Sequence, residues 1–147
     1  MNFWTMQIYI AEASSAEDEE KMRFTMHALD CGYIGCGDYD GDEHPSGLKL
    51  FRDSVQIGDI VAVRMGMTPI ALVRVVGAYQ KWPKMSDSAW MNHRRKIEFL
   101  DAEPPINQET GKLQTFPHFR GAFEGGEKNQ SMIREWYNNW LERKKVW

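Results

Sequence analysis

The sequence predicts a small α+β domain, a mixed β-barrel flanked by helices and followed by a C-terminal amphipathic helix. Two short runs rich in Val and Ile, residues 60–63 and 70–76, are bounded by Gly and Pro, as paired strands are. Few side chains in these runs are polar, which indicates that both sheet faces are covered, as in a small barrel. A stripe of apolar residues near the C-terminus predicts the helix.

The N-terminal part predicts a strand and then a helix. Residues 3–11 are rich in aromatic residues and Ile, which favours a strand. Ser14 and Ser15, each followed three residues later by an acidic residue, form overlapping capping boxes that begin a helix. That helix places Met22, Met26 and Leu29 on one face and ends near Gly32.

The middle of the chain alternates between loops and short elements. Residues 31–47 are rich in Gly and Asp and predict a loop with a short strand at residues 33–34, and residues 48–55 predict a short helix. Residues 93–100 alternate as a strand does, with Arg95, Ile97 and Phe99 on one side. Pro104 and Pro105 end that strand. The following residues, 107–126, predict a loop with a strand at 113–116.

The C-terminal helix is predicted at residues 128–144. Its apolar residues recur in pairs every four positions, and basic residues occupy the last turn, as the helix dipole favours. The stripe consists of Met132, Ile133, Trp136, Tyr137, Trp140 and Leu141. We expect one domain over residues 1–147, with the barrel at about 3–120, because 147 residues suit a single core.

Composition narrows the class of protein. The net charge of −3 argues against the general basic field with which proteins coat nucleic acid, although a local basic patch is compatible with it. No segment reaches the roughly 20 apolar residues of a membrane span, and the N-terminus lacks the basic region of a signal peptide. Two Cys without a signal predict a cytoplasmic protein without disulfides.

Sequence patterns of catalysis and metal binding are weak. The acidic loop at residues 38–44 does not fit a calcium loop, because Gly41 and Lys49 stand at the wrong positions of that motif. Cys31 and Cys36 lack the further ligands of a zinc site. The chain contains no nucleophile elbow, phosphate-binding loop or HExxH motif. We therefore expect no metal, no cofactor and no catalysis, although a Cys–His dyad stays open.

Two groups of residues suggest a binding surface. The densest basic cluster covers residues 93–96, where alternation places Arg94 and Lys96 on one face; that face suits phosphate oxygens, or equally a solvated edge strand guarded by charge. Several aromatic residues fall in loops and at strand ends, where they could stack on a planar ligand or simply pack as a lid.

The order of four short motifs resembles the PUA-like superfamily, nearest to its EVE and YTH-like branch. These motifs are the aromatic Phe3-Trp4 strand, the Gly-rich segment at residues 33–37, the strand entry at Gly58-Asp59, and the basic-to-apolar strand at residues 93–100. The small recognition domains of modified-cytosine restriction systems are similar in the same segments. The chain departs from that pattern with Phe99 in place of Trp and Cys36 in place of an aromatic residue.

The resemblance implies a five- or six-stranded barrel that binds DNA or RNA and holds one flipped, modified base, such as a cytosine or an adenine, in an aromatic cage. A separately encoded nuclease or other effector could act with it. The alternatives are a small-molecule or nucleotide-binding regulatory domain and a hydrolase of modified nucleosides. Candidates for the base pocket are Trp4, Tyr33, Ile34, Tyr79, Trp82 and Trp90. Candidates for backbone contacts are Lys81, Lys84, His93, Arg94, Arg95 and Lys96.

Overall fold

A computed structural model describes residues 1–8, 18–36, 49–65, 68–82, 91–106, 123–124 and 127–145. Within these ranges the chain forms seven strands, two α-helices and one π-helical turn. The strands are β1 (Phe3–Gln7), β2 (Tyr33–Cys36), β3 (Ile60–Met65), β4 (Thr68–Val75), β5 (Gln80–Lys81), β6 (His93–Asp101) and β7 (Phe123–Glu124). The helices are α1 (Asp18–Asp30) and α2 (Glu127–Lys144), and the π-helical turn is Leu50–Ser54. The predicted strand at residues 113–116 lies outside the described residues.

The strands build one mixed sheet that curls strongly into a half-barrel, which confirms the predicted fold class. The order across the sheet is β2-β6-β4-β3-β1-β7, and β5 also pairs with β6. Only β1 and β3 run parallel among the strand pairs of the described residues; the others are antiparallel. The sheet thus has seven strands rather than the five or six that the resemblance implies.

The central pair β3 and β4 confirms the prediction of two antiparallel strands. Six residues of this pair, at 61–63 and 71–73, are fully buried. Since side chains in a strand point alternately to opposite faces, both faces of the sheet are covered here. Both strands extend beyond the apolar runs that predict them, because Arg64 pairs with Pro69 and Met65 pairs with Thr68.

A separate apolar core lies on each face of the sheet. On the inner face, Val61, Val63 and Val73 pack with Leu29 of α1 and with Phe51 of the π-helical turn. On the outer face, α2 covers the sheet through Ile133 and Trp136, which pack on Phe3, Ile60, Ala62 and Leu72. The predicted C-terminal helix and its buried Trp136/Trp140 stripe are confirmed.

Helix α1 buries only part of the face that its sequence suggests. Thr25, Ala28 and Leu29 are buried, whereas Met26 is 41% exposed. The helix ends as predicted, because Gly32 has φ +85°, a conformation that Gly adopts without a Cβ penalty. No helix in the described ranges is both long and apolar enough to cross a bilayer.

Candidate functional site

Strand β6 organises the candidate site because it has neighbours on both edges. Its residues 93–96 pair with β2 on one edge, and residues 93–94 also pair with β5 on the other. Arg94 stands opposite Gly35 and Gln80, and Lys96 stands opposite Tyr33. Directly opposite residues share a sheet face, so these five side-chain positions lie together on the outer face.

The centre of this region is a cluster of Tyr33, Arg94 and Trp82, called here the Arg94 cluster. The guanidinium carbon of Arg94 lies over both rings, 5.1 Å from the Tyr33 centroid and 4.6 Å from the Trp82 centroid. Its Nε donates a 2.8 Å hydrogen bond to the carbonyl of Met91. Arg94 is only 1% exposed, so the cation is held inside the cluster. Cation–π contacts of this kind are strongest where the cation is desolvated.

Trp82 is held by hydrogen bonds although the residue is 36% exposed. Its indole Nε1 donates a 2.7 Å hydrogen bond to Oε1 of Gln80, two residues earlier. Its backbone N–H donates to the carbonyl of Asn92 at 2.6 Å, and the Asn92 side chain donates back to the Trp82 carbonyl at 3.3 Å. An aromatic ring that is held in place and still partly exposed offers a stacking surface.

Gly35 permits the close approach of β2 to β6 at this point. A Cβ added to Gly35 would lie 1.9 Å from the carbonyl oxygen of His93 and 2.9 Å from the Cα of Arg94. Both obstacles are backbone atoms, which cannot rotate away. The Gly-rich segment of the sequence is therefore needed by the strand pairing beside Arg94.

The two other basic candidates on β6 point to the inner face. His93 is 5% exposed, and its Nδ1 lies 2.6 Å from the hydroxyl of Tyr79. Arg95 donates to the carbonyls of Phe51 and Arg52, each at 3.0 Å, and to that of Gly77 at 3.3 Å. Burial lowers the pKa of Arg95, while the carboxylate of Asp59 partly opposes that effect. Arg95 thus holds the π-helical turn against the sheet.

Of the four candidates for backbone contacts on β6, three are therefore buried rather than exposed. His93, Arg94 and Arg95 are buried, and only Lys96 is exposed. The reason is that this segment has a paired strand on each edge and therefore lies inside the sheet. It is neither an exposed phosphate-binding face nor a charged edge strand, the two interpretations that the sequence allowed.

Trp4, Ile34 and Tyr79 do not join the Arg94 cluster; they pack on the inner core. The indole of Trp4 donates a 3.0 Å hydrogen bond to Asp59. The same carboxylate accepts the backbone N–H groups of Asn2 and Gln56, each at 2.9 Å. Asp59 thus ties the start of β1 to the start of β3, and the Gly-Asp motif is structural.

The structure brings together two of the aromatic candidates, Tyr33 and Trp82, around one of the basic candidates, Arg94. Lys96 is exposed beside them, and Lys81, which stands opposite His93, is exposed on the other face of the sheet. Trp90 and Lys84 lie outside the described residues. The sequence analysis did not name Gln80. The feature that could have identified it is its position two residues before Trp82, because such residues share a face of an extended segment.

The two Cys are not paired with each other. Cys36 is buried on β2, opposite His93, and the Sγ of Cys31 lies 3.7 Å from Nε2 of His27 at the end of α1. Across the described ranges, no three His, Cys, Asp or Glu side chains are grouped so that they could hold a metal ion.

Comparison with known proteins identifies the fold. No family model matches the sequence, and no curated protein matches it. Among solved structures, the chain is similar to the complex of the YTH domain-containing protein mmi1 with RNA, with 12% sequence identity and a TM-score of 0.51. The match covers 99% of this chain and 87% of that one. The chain therefore has a small YTH/PUA-like fold, with a curled half-barrel sheet and a C-terminal helix.

Proposed function

We propose that this protein is a nucleic-acid-binding module that holds one flipped, modified base on the Arg94 cluster, and that its role is binding rather than catalysis. The observation that carries the proposal is the placement of Trp82, a fixed and partly exposed indole backed by a buried guanidinium. The structural neighbour, whose chain is solved with RNA, favours RNA as the nucleic acid.

Stacking on Trp82 supplies the first part of the binding energy. Extruding a base from its stack costs a few kcal/mol, and contact with an aromatic face returns about 1–3 kcal/mol per base. The Arg94 guanidinium lies over the Trp82 indole and also over the Tyr33 ring. These three side chains are therefore already in contact before a base binds. A preassembled surface avoids the entropy cost of ordering its side chains on binding.

The exposed Lys96 beside the cluster supplies a contact with the nucleic-acid backbone. It stands directly across from Tyr33 on the outer face, whereas Lys81, opposite His93, lies on the other face of the sheet. Arg94 is assigned to the stack and not to phosphate, because it is buried. With a net charge of −3 and few exposed cations at the site, we expect a small number of phosphate contacts and a shallow salt dependence.

Binding of short single-stranded oligonucleotides tests this proposal. Matched RNA and DNA strands would carry one central cytosine or adenine, each with and without a methyl group, and affinity would be measured by fluorescence anisotropy. We expect the wild type to prefer a modified strand and Trp82→Ala to weaken binding about 5- to 150-fold.

The control variant is Phe99→Ala, because Phe99 is an aromatic residue that is 48% exposed and not part of the Arg94 cluster. It should bind as the wild type does. Equal binding by wild type and Trp82→Ala would contradict the proposal. Tight binding of a free modified nucleoside, without any gain from the oligonucleotide, would instead indicate a small-molecule-binding domain.

A further inference from the structure

We infer that the bound nucleic-acid strand continues from the Arg94 cluster across the open outer face of β4 and β6 towards α2, and that an ion pair on this face, between Arg74 and Glu98, limits its affinity. This inference rests on the proposed function and adds to it a subsite for the nucleotide next to the held base.

The outer face of β6 continues beyond the Arg94 cluster. Lys96 and Glu98 follow Arg94 at steps of two residues, so the three side chains project from one face at intervals of about 7 Å. Lys96 and Glu98 are both exposed. Helix α2 packs on the outer side of β1 and β3 and leaves this part of the sheet open. The open face therefore begins at the site proposed for the base.

An apolar residue and a cation lie side by side on this open face. The backbone N–H groups of Val76 and Gly77 both donate to the carbonyl of Lys96, at 2.9 and 3.2 Å, so two residues stand opposite one, as in a β-bulge. Val76 is 41% exposed. Within the described ranges no carboxylate forms an ion pair with Lys96. This combination suits one nucleotide, with its sugar or base on Val76 and its phosphate on Lys96.

The next two charges on this face neutralise each other. Arg74 stands directly opposite Glu98, and its Nη1 donates to that carboxylate at 3.2 Å. Its Nη2 donates to the hydroxyl of Tyr137 at 3.3 Å, and its guanidinium carbon lies 5.9 Å from the centroid of the Trp140 ring. Helix α2 thus orients Arg74 at the far end of the open face. A guanidinium has five N–H donors, so Arg74 can serve a second phosphate once the carboxylate charge is removed.

Glu98→Gln tests this inference through a gain of affinity, which damage to the fold does not produce. The probe is the modified RNA strand that wild type prefers, titrated at several salt concentrations. If Arg74 gains one phosphate contact, the slope of log K against log salt should steepen by about 0.7. The affinity of Glu98→Gln relative to wild type should then rise about fivefold for each tenfold dilution of salt.

Two further variants show whether Arg74 is the cause. Asp53→Asn is the matched control, because Asp53 pairs with exposed Arg52 on the π-helical turn, which packs on the inner face. It should bind as the wild type does. Combining Glu98→Gln with Arg74→Gln should abolish most of the gain, since the neutral pair offers no cation. Thermal melting of each variant checks that it is folded.

Shortened strands locate the path of the nucleic acid. Two RNA strands would keep the modified nucleotide, one without any nucleotides on its 5′ side and the other without any on its 3′ side. The truncation that removes the flank lying on this face should abolish the gain in Glu98→Gln, and the other truncation should keep it. The pair of strands therefore also fixes the direction of the chain.

The possible failures can be told apart. If wild type prefers a modified strand and Trp82→Ala weakens binding, yet Glu98→Gln binds no more tightly, the path is overturned and the proposed function stands. An equal gain in Asp53→Asn, or a gain that survives both truncations, also overturns the path. If wild type binds none of the strands, the proposed function fails and this inference fails with it.

Discussion

The indole Nε1 of Trp136 donates a 2.7 Å hydrogen bond to the carboxylate of Asp101, and this bond joins the middle of α2 to the end of β6. Arg143, two turns later on the helix, contacts the same carboxylate. Trp136 is 1% exposed and belongs to the outer core. One residue therefore supplies both apolar packing and a directional contact between helix and sheet.

Replacing Trp136 should separate these two contributions. Trp136→Ala should lower the free energy of unfolding by about 3–5 kcal/mol, because it removes a large buried ring. Trp136→Phe retains much of the apolar area and should cost about 1–3 kcal/mol through the lost hydrogen bond. Urea denaturation measures both, with Asn139→Ala on the exposed side of α2 as control. A midpoint unchanged in Trp136→Ala would mean that the helix does not hold the sheet.

Gly35 and Gly32 should respond differently to alanine. Gly35→Ala introduces a Cβ against the backbone of β6, so we expect a cost at or above the 1–3 kcal/mol typical of overpacking. Gly32→Ala meets no atom within 4 Å and has only its φ of +85° to overcome, which costs about 1 kcal/mol. Thermal denaturation compares the pair, and a larger loss at Gly32 would contradict the close approach of β2.

Arg95 should stabilise the π-helical turn rather than bind nucleic acid. Arg95→Met removes one donor from the carbonyls of Phe51 and Arg52, and we expect a cost of about 1–3 kcal/mol from the buried bond to Phe51. Hydrogen exchange in the segment Leu50–Ser54 should accelerate. Arg52→Ala is the matched control, because Arg52 is exposed and its side chain pairs with Asp53 beside it. An unchanged rate of hydrogen exchange in Arg95→Met would contradict this structural role.

Lys96 should contribute to affinity through charge alone. If it contacts one phosphate of a single strand, Lys96→Ala should reduce the slope of log K against log salt by about 0.7, whatever the base. Lys145→Ala, one residue past the end of α2 and with a side chain 71% exposed, should leave the slope unchanged. Titrations at four salt concentrations measure this, and a loss that depends on the identity of the base would indicate that Lys96 reads the base instead.

The sequence predicted the elements whose residue pattern is strongly periodic. It did not predict which polar side chains neighbouring strands would bury. The pairing of β3 with β4 and the stripe on α2 follow from residue types along one segment. The burial of Arg94 and Arg95 does not, because it depends on β2 and β5, which flank β6 from distant parts of the chain. An arginine on an alternating strand looks exposed until both neighbours are known.

The candidate site was predicted in part for the same reason. Tyr33 and Trp82 were named as stacking residues, but nothing in the sequence placed them on either side of Arg94. Trp4 and Tyr79 were equally aromatic and equally close to strand ends, and all three tyrosine and tryptophan side chains Trp4, Tyr33 and Tyr79 pack on the inner core. Tyr33 alone among these three also contacts the Arg94 guanidinium in the described structure, and this depends on a strand register that the sequence does not reveal.

Strand β6 both pairs with its flanking strands and supplies Arg94 to the candidate site, which limits how the protein could be redesigned. Each of its residues from 93 to 95 is buried by contacts with other elements, so a substitution there risks unfolding the domain before it alters a preference. Gln80 and Lys81 on β5 are more exposed, and Gln80 stands beside the same cluster. A library aimed at new specificities should therefore vary β5 and leave β6 intact, which makes a strand of only two residues the most useful one to engineer.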